Sequence, residues 1–67
     1  MKIKKRVQGQ DIILELERVK DYERYSLYQV YKLENGKRIP LYKECYTDLQ
    51  IKDIVLRDYF VTEEDYI

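Results

Sequence analysis

The chain has no histidine, no tryptophan and no alanine, and it has a single cysteine, proline and serine among 67 residues. Each shortage excludes something. Without histidine the commonest general base is missing, and Cys45 has no imidazole to activate it as a nucleophile. Ser26 is the only serine, and the sequence offers no base for it. One cysteine cannot close a disulfide within the chain, nor build a tetrahedral zinc site without histidine. Cys45 therefore reads as a buried structural thiol. The carboxylates of Glu15 and Glu17, and of Glu63, Glu64 and Asp65, lack the spaced loop of a calcium site and read as charged surface. Gly9 and Gly36 are the only glycines, so there is no phosphate-cradling loop. The expectation is a chain that is not an enzyme and takes no cofactor or metal.

Long hydrophobic runs are missing too. The longest aliphatic runs are three residues, Ile12–Leu14 and Ile54–Leu56, far short of the ~20 that span a bilayer. The start, Met1 to Arg6, is basic with no apolar stretch after it, unlike a secretory leader. A lone cysteine and no leader fit the reducing cytoplasm.

What is present is 45% hydrophobic and 39% charged, with eight tyrosines and one phenylalanine. That is apolar enough to fold, and disordered chains are poor in aromatics. Lys, Ile, Tyr and Glu have AT-rich codons, so their abundance points to a low-GC bacterium, its phage or a mobile element. A chain this short is one domain, and it buries only about 60% of its unfolded surface. With neither disulfide nor metal to help, a homodimer carries the same weight as a monomer.

Net charge is zero, but unevenly spread. Residues 1–46 hold eleven Lys/Arg against seven Asp/Glu, a net +4, and residues 47–67 hold two against six, a net −4. Mutual complementation of the two halves is the plainer explanation, and a basic binding face with an acidic C-terminal end is the functional one.

Asn35-Gly36 is the sharpest local signal. Flanked by Tyr-, Val-, Ile- and Leu-rich runs, it predicts a two-residue hairpin turn between strands at about 25–33 and 38–46. Pro40 cannot donate to a ladder, so either the second of these lies at a sheet edge or Pro40 takes a non-bonded position. Alternation predicts further strands at about 2–8 and 11–19, a helix over 11–24 being the rival for the latter. Thr47 followed by Gln50 forms a capping box and opens a helix at about 48–60. Thr62 to Asp65 is a weaker box near the acidic end. The fold class is α+β: a small antiparallel sheet of three to four strands, then one C-terminal helix packed on one face. The order of strands followed by a helix, over about residues 25–60, is similar in outline to small DNA-binding modules of mobile-element integrases. That likeness lies in topology alone.

A two-residue turn at Asn35-Gly36 pairs residues whose numbers sum to 71. Tyr28, Val30, Ile39, Leu41 and Cys45 then share one face, whose compact aliphatics suit a helix. Tyr25, Tyr31, Tyr42 and Tyr46 share the other, and one helix leaves that face open. The candidate partner-binding site is this tyrosine face, since tyrosine supplies rigid area with a polar tip. A protein partner is expected. The alternative is nucleic acid, stacked on the tyrosines and held by Lys2, Lys4, Lys5, Arg6, Lys37 and Arg38. A solvated, aggregation-blocking strand edge also accounts for the N-terminal lysines.

Overall fold

The computed structural model describes residues 1–66. Four strands come first: β1 (Lys2–Val7), β2 (Gln10–Asp21), β3 (Ser26–Glu34) and β4 (Lys37–Pro40). Helix α1 (Asp48–Tyr59) follows, then a short 3-10 turn (Glu63–Asp65). The strands form one antiparallel sheet in the order β1-β2-β3-β4, and the α+β architecture read from the sequence is the one adopted. No helix among the described residues is long and apolar enough to cross a membrane.

Two turns of the same kind close the outer hairpins. Asn35 and Gly36 have φ of 50° and 76°, and Gln8 and Gly9 have φ of 51° and 81°. Positive φ at both central positions matches the right-handed twist of the flanking strands. The Asn35-Gly36 register pairs Tyr31 with Pro40 and Leu33 with Arg38, which is the sum of 71. Segment 11–21 is strand, not helix. Leu14 pairs with Ile3 on one side and Lys32 on the other, and Leu16 pairs with Val30. Val19, which a helix would have placed on its apolar face, sits at a register shift between Arg18 and Lys20 and is exposed.

The core lies between one sheet face and the helix. Ile3, Leu14, Leu16 and Val30 meet Ile51, Val55 and Val61, all buried, with Tyr28 and Leu41 at the margin. Full burial of each such aliphatic side chain stabilises by about 1.5–3 kcal/mol. Thr47 caps α1 as its sequence implies: the Gln50 N–H donates to Thr47 Oγ1 (3.4 Å) and the Thr47 N–H to Gln50 Oε1 (3.0 Å). The helix ends at Phe60, left-handed at φ 57°.

One strand is shorter than expected. β4 stops at Pro40 instead of running to residue 46, because proline offers no N–H to the ladder. Beyond it the Leu41 N–H still reaches the Val30 carbonyl (3.0 Å), but the Gln29 side chain takes over as partner. Its amide donates to the Tyr42 carbonyl (3.0 Å) and its Oε1 accepts from the Val30 N–H (2.8 Å). The chain rejoins β3 where Tyr46 pairs with Tyr28, a sum of 74.

Candidate functional site

That slip of three residues decides where the tyrosines go. An odd shift moves a side chain to the opposite sheet face. Tyr46 therefore turns toward the helix side with Tyr28, and Tyr42 follows it; both pack against the core. They meet edge to face, with centroids 5.9 Å apart at 84°. The Tyr42 hydroxyl donates to Asp58 Oδ2 at 2.7 Å. Burial, then this hydrogen bond, raises the Tyr42 pKa far above the ordinary tyrosine range. The Arg57 guanidinium, then the Tyr42 hydroxyl, pushes the Asp58 pKa down to about 2. The expectation that Tyr42 and Tyr46 share an open face with Tyr25 and Tyr31 is thus corrected: those two tie the loop after β4 to α1.

Tyr31 does stand on the open sheet face, but under cover. Arg38 lies 4.0 Å above its ring and reaches Glu15 (3.5 Å) and Glu17. Tyr25 stands at the β2–β3 tip, where its ring lies 4.8 Å from that of Tyr22. Lys20 sits 5.1 Å from the Tyr22 ring, and both tyrosines are exposed. The four candidate tyrosines therefore occupy three separate places.

The basic candidates divide as well. Alternation puts Lys2, Lys4 and Arg6 on the open face, with Lys4 3.8 Å from Asp11 across the β1–β2 hairpin. Lys5 points to the other side and pairs with Asp65 at 3.3 Å. Lys37 is exposed at the β3–β4 hairpin, and Arg38 is held by the two glutamates. Acids of β2 thus run between the cations of β1 and Arg38, so the open face largely answers its own charge.

Val19 and Ile39 are exposed on the sheet, but the most exposed large apolar side chains apart from Met1 lie elsewhere. Leu49, Leu56 and Phe60 are 75%, 51% and 68% exposed. At 100° per residue Leu49 and Leu56 fall within an arc of about 20°, turned away from Ile51 and Val55, and Phe60 follows at the left-handed position just past the helix. The stripe is visible in the sequence once the apolar positions of 48–60 are sorted by helical angle; read simply as helical spacing, they merge into one core face. Beside the start of α1 are two clefts. One, of about 440 Å³, is lined mainly by apolar groups including Met1, Leu16, Tyr28, Leu49 and Tyr66. The other, of about 630 Å³, runs from Tyr22 and Tyr25 to Thr47 and Leu49. Among the described residues no group of acidic, cysteine or histidine side chains is placed to hold a metal ion. No family model, curated protein or solved structure matches the chain.

Proposed function

We propose that this chain is a non-catalytic protein-interaction module that works through its exposed apolar belt. The belt comprises Leu49 and Leu56 on α1, Phe60 just past its end, and Tyr22 and Tyr25 at the β2–β3 tip. One observation carries the reading: Leu49, Leu56 and Phe60 are the large apolar side chains most open to solvent apart from Met1, whereas the aliphatics of the sheet's open face, Ile13, Leu27 and Leu33, are half-buried among paired charges. Burying the belt against a partner stabilises, and aromatic side chains such as Tyr25 and Phe60 on a rigid scaffold make effective anchors. The composition supports a phage or mobile-element origin, and a cytoplasmic modulator of a host protein fits that setting.

A pull-down from host lysate, with and without nuclease, tests this. Capture is expected to survive nuclease, to fall sharply with Leu56→Lys or Tyr25→Lys, and to be spared by Arg6→Glu. Capture that disappears with nuclease, weakens steeply with salt and is lost in Arg6→Glu overturns it in favour of nucleic acid.

A further inference from the structure

We infer that the outer edge of β1 is a second interaction surface, suited to an acidic extended segment of a partner protein, and that residues 61–66 of this chain occupy it as an intramolecular stand-in. The edge lies apart from the belt, and the inference does not depend on it.

The backbone defines the edge. The Leu16 N–H donates to the Met1 carbonyl (2.7 Å), and the Met1 amino group donates to the Leu16 carbonyl (3.2 Å). Alternation along the antiparallel ladder then turns the backbone groups of Ile3, Lys5 and Val7 toward β2, and those of Lys2, Lys4 and Arg6 outward. Every residue with outward backbone groups carries a cation. The opposite edge has no such row, since β4 is four residues long and ends in Pro40.

The resident segment shows which chemistry the edge accepts. Beyond α1, Val61 is buried, and the chain returns to β1, where Tyr66 forms an antiparallel bridge with Ile3. Between them stand Glu63, Glu64 and Asp65. Asp65 pins the segment: its Oδ2 accepts from the Thr62 N–H (2.8 Å) and lies 3.3 Å from Lys5 Nζ. These side chains are 17% and 26% exposed, the most sheltered ion pair among the described residues, and so the least screened.

The fit is incomplete. The turn at Glu63–Asp65 bends the segment, and it makes a single bridge to a strand of six residues. An unbent acidic strand would continue the pairing toward Arg6, with main-chain bonds supplying affinity and the cations supplying selection. It competes with the tethered segment, so its apparent affinity follows the fraction of molecules in which that segment is released.

A synthetic peptide of residues 61–66, titrated into the isotope-labelled full chain and followed by amide chemical shifts, tests the inference. Shifts are expected at Lys2, Lys4 and Arg6 and in the displaced segment 62–66, and Leu56→Lys leaves them unchanged. Asp65→Lys sets the segment against Lys5 and is expected to tighten peptide binding at least ~10-fold. Asp65→Asn keeps an acceptor for Thr62 while releasing Lys5, and tightens binding about 3-fold; it carries the test if circular dichroism shows Asp65→Lys unfolded. Lys5→Glu is expected to reject this peptide and to bind one with lysine in place of its aspartate. Binding at another surface, no binding in any variant, or affinity indifferent to residues 5 and 65 overturns the inference. The β1 cations would then only guard the edge against aggregation.

Discussion

The sheet's open face and the outer face of α1 are both turned to solvent, yet they are made differently. On the sheet, exposed charge is matched by exposed charge: Lys4 by Asp11, Arg38 by Glu15 and Glu17, with the Tyr31 ring beneath the guanidinium. On the helix Leu49 and Leu56 lie open to solvent, as does Phe60 at its end. Exposure alone therefore does not mark a working surface. What separates the two is whether the surface is already satisfied within the monomer.

The largest effect that sharpens this contrast lies within one helix. Ile51→Ala removes a side chain 1% exposed and is expected to lower unfolding free energy by about 2–5 kcal/mol. Leu49→Ala, two residues away, is expected to change it by less than about 0.5 kcal/mol at protein concentrations where the chain is monomeric. Urea titrations of both variants check the pair. Equal losses would mean that Leu49 belongs to the core and that the stripe is not free.

A smaller difference separates the tyrosines. Tyr42→Phe deletes the donor to Asp58 and is expected to cost about 0.5–1.5 kcal/mol. Tyr25→Phe, at the exposed tip, is expected to leave the melting temperature unchanged. Thermal scans at neutral pH distinguish them, and the reverse ranking would return Tyr42 to an open face.

The smallest effect is in acid. The Asp58 carboxyl is lowered from 3.8 to about 2, first by Arg57 and then by Tyr42. A carboxylate with a depressed folded pKa contributes stability that is present above about pH 4 and is lost as pH falls toward 2. Asp58→Asn is expected to flatten that part of the melting-temperature profile and to leave the sheet's open face unaffected. An acid limb identical in both proteins would show that Asp58 contributes nothing to it.

The parts legible in the sequence were those specified locally. Asn35-Gly36 determines its own turn and so the pairing of β3 with β4, and Thr47 with Gln50 determines the start of α1. Alternation at Leu14 and Leu16 separated strand from helix in β2. The tyrosine site was not legible, because Tyr42 and Tyr46 depend on where the chain rejoins β3 after Pro40. The Gln29 side chain and the Tyr42–Asp58 bond fix that point, and neither has a sequence signature. The helical stripe lay between these cases: its angular pattern is in the sequence, but knowing which arc faces out needs the sheet.

The consecutive strand order also bears on how the chain is made. Each strand pairs with the one synthesised just before it, so the hairpins close short loops and can form early and fast. Their apolar face then waits for the helix, and β1 waits longer, since Ile3 meets Tyr66 across 63 residues. The hairpins on their own would expose Ile3, Leu14 and Val30, so the domain is expected to close as a unit only once the segment through Tyr66 is available.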